Sequence, residues 1–267
     1  MDSMPQLGMG TFRLKEEVAR QAVADALAAG FRHIDTAQFY DNEEQVGDAL
    51  IASKPDRDEV FVTTKVWYEH LGTDKFMPSV YESLSKLKLD YVDLLLIHWP
   101  YPGDDIPMET YLGELAKAKQ LGLTRHIGVS NFTIDQMKQA QAILGDGEIF
   151  TNQIELHPFM QNRSVVDTCR SLGIGVTAYM PFAVGKILND DTLNAIAQQH
   201  NASPAQVVLA WLEHKNIHAI PSSTSRAHIQ ENAAYQRVSL TADEIARIDD
   251  LDNGERIVNP DFAPDWD

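Results

Sequence analysis

Short apolar runs of β character recur along the chain, and each stops at a polar residue. Arg32-His33-Ile34 stops at Asp35, Val60–Thr64 at Lys65, and Val92–Ile97 at His98. His126–Val129 stops at Ser130-Asn131, Ile149-Phe150-Thr151 at Asn152-Gln153, and Ile174–Ala178 at Tyr179. The seventh run, Ile217–Ile220, passes through Pro221 into Ser222-Ser223. Between the runs the apolar period becomes helical. In 17–29, Val18, Ala22 and Ala26 recur every four positions beside Ala19, Val23 and Leu27, and Gly30 follows as a stop signal. Thr133 with Gln136, Ser203 with Gln206, and Thr241 with Glu244 have the spacing of a capping box. Pro204 takes the first helical position of the second, where its missing N–H costs nothing.

Strand and helix therefore alternate about eight times, starting from a strand over 6–9. Near-continuous apolar strands between amphipathic helices predict a parallel sheet covered by helices. An open dinucleotide-binding sheet would carry Gly-x-Gly-x-x-Gly after its first strand. Gly8-Met9-Gly10-Thr11-Phe12-Arg13 lacks the third glycine, so the pattern predicts a closed (β/α)8 TIM barrel, one domain over 1–267. In such a barrel, chemistry sits where the strands end.

Composition narrows the function classes. A chain of 267 residues, 44% hydrophobic, has the length of one barrel domain. A formal charge of −17 argues against nucleic-acid or anionic-membrane partners, which require a basic patch. It also means that an anionic cofactor must be met by local cations or amide groups. The single cysteine, Cys169, excludes an intrachain disulfide, and its helical setting predicts an inert buried thiol. Without a signal-like N-terminus or a long apolar run, the chain is expected to be cytoplasmic and a monomer.

Four of the strand-end groups make one proton-transfer device. Tyrosine is a weak acid, with an ordinary pKa of about 10. An ammonium about 4 Å away, at an effective dielectric near 20, favours its phenolate by up to roughly 4 kcal/mol. Lys65 is thus expected to lower the pKa of Tyr40, with Asp35 as the counter-charge that keeps Lys65 protonated. A neutral His98 can donate a hydrogen bond to a substrate carbonyl. Each residue alone has a bland structural explanation: a turn cap for Asp35, a surface position for Lys65, packing for Tyr40 and a satisfied histidine for His98. Their shared location at one end of consecutive strands is what points to protonation of an oxygen that is becoming an alkoxide.

Longer motifs carry a family resemblance. Residues 30–43, Gly-Phe-Arg-His-Ile-Asp-Thr-Ala-Gln-Phe-Tyr-Asp-Asn-Glu, resemble the aldo-keto reductase signature. Leu95–Pro100, Ile127–Phe132 and Asn152–Pro158 are similar to further motifs of the same family. Within it, the chain most resembles the short bacterial 2,5-diketo-D-gluconate reductases of the B type. The resemblance implies a TIM barrel, NADPH-dependent reduction of aldehydes and ketones, and a catalytic tetrad of Asp35, Tyr40, Lys65 and His98, with Tyr40 as general acid. It implies Ser130, Asn131 and Gln153 as partners of the nicotinamide carboxamide, Tyr179 as the ring stacked on the nicotinamide, and Glu231 and Asn232 at the adenine. Where the family reads Ser-Pro-Leu after the tyrosine, this chain has Met180-Pro181-Phe182.

The tract after the last strand departs from the family pattern. Ser222 stands where relatives have a lysine that touches the 2′-phosphate, and His228 where they have an arginine. Arg226 remains as the local cation, with Ser223, Thr224 and Ser225 as hydroxyl donors, so NADPH preference is expected to rest mainly on Arg226. Phe12, Trp99 and Tyr40 are expected to form an aromatic entrance for a small-molecule carbonyl, such as a small dicarbonyl like methylglyoxal, a keto-sugar or a β-keto ester. The chain ends soon after Asn259-Pro260, which predicts no long C-terminal segment lining the pocket. Other readings are a non-catalytic cofactor-binding regulatory or structural member of the family and a Schiff-base aldolase using Lys65. A metal site is not expected, because Glu155-Leu156-His157 alone is no ligand set.

Overall fold

The computed structural model describes residues 3–267. Eight strands lie side by side in sequence order, all parallel. They are β1 (Met9–Gly10), β2 (His33–Asp35), β3 (Phe61–Val66), β4 (Val92–Ile97), β5 (Thr124–Ser130), β6 (Ile149–Glu155), β7 (Gly175–Tyr179) and β8 (His218–Ile220). The predicted (β/α)8 TIM barrel is the observed fold.

Closure explains why the expected first strand, 6–9, is shifted. Met9 and Gly10 pair with β2, whereas the preceding residues reach to the other side. Leu7 bridges to Ala219, Ala219 N–H donates to Gln6 O at 2.9 Å, and Gly8 N–H donates to Ala219 O at 2.8 Å. The seam is tight: a Cβ on Gly10 would lie 2.6 Å from Ile220 O, so only glycine fits there. Two other boundaries differ from expectation. β3 continues past Lys65 to Val66, and β6 continues past Gln153 to Glu155, so those side chains belong to strands rather than loops.

The helices follow their sequence signals. All three capping boxes form, on the helices Ile134–Leu144, Pro204–His214 and Ala242–Asp249. The first helix spans Glu16–Ala28 and stops before Gly30, whose φ of +98° suits a residue without Cβ. Its buried stripe is Ala19, Ala22, Val23, Ala26 and Leu27. Val18, at the edge of that stripe, is half exposed.

Two apolar clusters result. The large one fills the layer between sheet and helices and contains the buried, unbridged Cys169. Burial pushes its thiol up to about 12, consistent with an inert residue. The small one, Met4, Phe61, Leu94 and Leu96 with Phe150 against it, plugs the barrel interior at its N-terminal end. Side chains two apart on a strand share a face, so Phe61 and Lys65, like Leu94 and His98, point the same way in successive layers. Among the described residues, no helix is long and apolar enough to cross a membrane.

Candidate active site

Above the apolar plug, the strand ends carry the tetrad. Asp35 is the last residue of β2, Lys65 sits near the end of β3, and His98 follows β4. Tyr40 lies outside the sheet, on a single 3-10 turn, Gln38–Tyr40, closed by Asp41 at φ +52°. Buried Asn42 fixes that turn to the loop after β1. Its amide donates to Thr11 O at 2.9 Å and Leu14 O at 2.8 Å, while its oxygen accepts from the Thr36 hydroxyl at 2.7 Å. Lys15 Nζ also donates to Tyr40 O at 2.5 Å.

The four residues converge as expected. Lys65 Nζ donates to Asp35 Oδ1 at 2.5 Å, to Thr36 O at 2.9 Å and to Tyr40 Oη at 3.3 Å. Three oxygen partners match the three donors of an ammonium. Gln153 Nε2 donates to the second Asp35 oxygen at 2.7 Å, so both carboxylate oxygens are engaged. Lys65 and Asp35 are fully buried. Burial pushes Lys65 down and Asp35 up, each toward neutrality, and their direct contact opposes both shifts.

Tyr40 corrects the expectation of a lowered pKa. Burial, and then the Asp35 charge, hold its hydroxyl well above the ordinary tyrosine value. Lys65 also contacts Asp35, whose negative charge opposes that of the lysine at the phenol. At rest Tyr40 therefore keeps its proton. Since Oη accepts from Lys65, its own O–H is free to point into the cavity.

His98 lies beside Tyr40, ring centroids 5.4 Å apart and nearly perpendicular. Burial, reinforced by the Lys65 charge, holds it well below the ordinary histidine range, so the ring is neutral. Nδ1 is buried without a partner. An orphaned N–H is rarer than an orphaned acceptor, which favours the tautomer with hydrogen on Nε2.

These groups open onto a cavity of about 940 Å³. One end is aromatic: Phe12 packs on Tyr40 (5.1 Å), Phe39 stacks on Trp67 (4.1 Å), and Phe262 meets Trp67 (5.6 Å) and Trp99 (5.3 Å) edge-on. Phe12 and Trp99 thus line it as expected. Phe262 does so against expectation: Ile257–Pro260 and Phe262 form one wall. The segment lines the cavity because it runs directly across the strand ends. Trp67 was also missed, although it lies two positions after Lys65 and on the same face. Phe262 has no comparable signal, since its segment has no period.

The other end of the cavity is amide and hydroxyl rich. Ser130, Asn131, Gln153, Tyr179, Ser222, Ser223 and Thr224 line it, with Met180 and Pro181. Asn131, at φ +62°, donates to His98 O at 3.0 Å and Ser130 Oγ at 3.1 Å and accepts from Tyr179 Oη at 2.8 Å. That network fixes the Tyr179 ring at the cavity wall. Volume and lining suit an elongated ligand with an amide at one end. Arg226, Glu231 and Asn232 lie on the helix Arg226–Ala233, beyond the cavity lining. The Arg226 side chain is 68% exposed, and its nearest carboxylate, Asp25, is 3.8 Å away. Ser225 caps this helix by accepting from His228 N–H, and Ser223 Oγ accepts from Ser225 N–H.

Known proteins share this architecture. Residues 6–253 match the aldo/keto reductase family. The chain is 52% identical to methylglyoxal reductase DkgB of Yersinia pestis over 266 residues, 99% of this chain and 100% of that protein. A crystal structure of a protein assigned as a 2,5-diketo-D-gluconic acid reductase B superposes with a TM-score of 0.95 at 42% identity, covering 100% of this chain and 95% of that one. The aldo-keto reductase of Bombyx mori in complex with NADP gives 0.90 at 36% identity, covering 98% and 94%. The chain belongs to the aldo/keto reductase family and is a carbonyl-reducing oxidoreductase that works with a nicotinamide cofactor.

Proposed function

We propose that this protein reduces small dicarbonyls, methylglyoxal foremost, with NADPH, and that Tyr40 is the general acid. The observation that carries the reading is the placement of Tyr40 Oη 3.3 Å from a buried lysine that is itself 2.5 Å from Asp35. The substrate class is supported by the aromatic end of the cavity and by the name of the Yersinia pestis relative. A keto-sugar of the size of diketogluconate is the larger alternative within the same site.

When bound, the nicotinamide supplies the hydride to the carbonyl carbon. Ser130, Asn131 and Gln153 would hold its carboxamide and Tyr179 would stack on its ring. Ser222, Ser223, Thr224 and Arg226 would meet the phosphates, and Glu231 and Asn232 the adenine. His98 Nε2–H donates to the carbonyl oxygen and orients it. As the C=O electron pair moves to oxygen, Tyr40 releases its proton there, giving the alcohol. An alkoxide is far more basic than a phenolate, so the transfer needs no lowered pKa in the resting enzyme. Lys65 acts on what remains, stabilising the phenolate until solvent returns the proton. The 2.5 Å contact of Lys65 Nζ with the Asp35 carboxylate favours the ammonium and so works against Schiff-base chemistry, which requires a neutral amine.

Tyr40→Phe tests the assignment. It should lower kcat for methylglyoxal by about 10²-fold or more while leaving NADPH affinity, followed by tryptophan fluorescence, unchanged. Retention of most turnover would transfer the acid role to another group.

A further inference from the structure

Glu155 closes β6 with a fully buried side chain that the tetrad does not use. Three donors converge on its carboxylate: His157 Nε2 at 3.0 Å, Ile257 N–H at 2.7 Å and Val258 N–H at 2.7 Å. Burial works against its charge, and the bonds from His157 and the two amides outweigh it, leaving Glu155 below the usual carboxylate range. The amides belong to the irregular segment after the last helix, which has no sheet or helix ladder to satisfy them. A buried N–H without such a ladder needs another acceptor. At two successive positions the acceptor is one ionised side chain, which makes these bonds the strong, charge-assisted kind.

The same strand end holds the segment a second time. Asn162 Nδ2 donates to Glu155 O at 2.6 Å, and Arg256 donates to Asn162 Oδ1 at 3.1 Å. Arg256 in turn lies 3.8 Å from the Trp266 ring centroid. The clamped residues begin the cavity wall, which runs on through Asn259 and Pro260 to Phe262 against Trp67, Tyr68 and Trp99. We propose that Glu155 is a specificity-determining positioning residue: by gripping Ile257 and Val258 it sets where Phe262 stands, and so the room left for the group attached to the substrate carbonyl. This rests on the reading that the carbonyl binds between Tyr40 and His98.

Two variants test it from opposite ends of the clamp. Glu155→Gln removes the charge, and Ile257→Pro removes one donor while leaving the carboxylate. In each, amide hydrogen exchange across 255–262 should quicken by about 10- to 100-fold, as expected for loss of a hydrogen bond to a charged group, with the barrel strands unchanged. In Glu155→Gln, whose side chain lies outside the cavity lining, KM for phenylglyoxal should rise about tenfold while KM for methylglyoxal and both kcat values move less than about threefold, the pattern of lost ground-state packing. Parent-like exchange across 255–262, or an equal loss for both substrates, would overturn the proposal. If Glu155→Gln does not fold, the exchange of Ile257→Pro decides. Exchange does not depend on the acid, so failure of the Tyr40 assignment would leave that readout intact.

Discussion

The barrel interior has two ends made from the same strands. At the N-terminal end, Phe61 and Leu94 pack with Leu96 and Met4 into a plug. Four residues further along, on the same inward faces, stand Lys65, buried beneath Tyr40, and His98, which lines the cavity. Both ends are buried, yet they are stabilised differently. The lower end relies on apolar contact, where a fully buried large side chain is worth about 1.5–3 kcal/mol. The upper end holds a buried ion pair whose desolvation offsets much of its attraction, so its contribution to net stability is small. The plug is held by apolar burial, and the charged layer above it adds little to stability, as expected of a layer kept for the chemistry proposed above.

Removing one half of the ion pair should have the largest effect. Lys65→Met leaves Asp35 buried without its partner, at a cost of about 3–5 kcal/mol in urea unfolding. It should also lower kcat by about 10²-fold or more, because the phenolate loses its cation. Adding Asp35→Asn should restore much of the stability and none of the rate. A double variant as unstable as the single one would mean that the pair itself holds the barrel together, and the contrast between the ends would fail.

The lower end has a titratable member, and its effect is on stability alone. His33 is fully buried, with Nδ1 unpartnered and Nε2 3.1 Å from Thr63 Oγ1. Burial, followed by the charges of His218 and Lys65, pushes its pKa down to about 3. The folded state thus keeps His33 neutral while the unfolded chain protonates it near its ordinary value of about 6.5. Below that value the unfolded state binds the extra proton, so stability falls with pH across the window from 6.5 to 3. Between pH 7 and pH 5 the loss is about 2 kcal/mol. His33→Gln, measured by urea midpoints at the two pH values, should flatten the dependence by that amount. An equally steep variant would assign the acid sensitivity elsewhere.

A smaller effect is expected outside both ends. Arg226 is exposed and only loosely paired with Asp25, so its guanidinium is free to meet a phosphate. Arg226→Ala should raise KM for NADPH by an amount worth about 1.5 kcal/mol, the low end for a hydrogen bond to a charged group, and leave NADH unchanged. Equal weakening of both cofactors would make Arg226 a support of its loop instead.

Much of this arrangement was legible beforehand because it is local. Strand ends at Asp35, His98, Ser130 and Tyr179 follow from runs of apolar residues that stop, and the three capping boxes from side chains three apart. Those signals depend on backbone period and short-range hydrogen bonding, which neighbouring residues determine. The altered pKa of Tyr40, the bond from Gln153 to Asp35 118 positions away, and the wall formed by Phe262 had no such signal. Burial is a property of the assembled barrel, and it reversed the direction expected from the Lys65 charge alone. The tail illustrates the same limit: its sequence has no period, and its path is set by a carboxylate that only the folded β6 brings beneath it. Periodicity determined which residues stand at the strand-end face of the barrel, whereas long-range packing decided their protonation, their partners and the shape of the space they enclose.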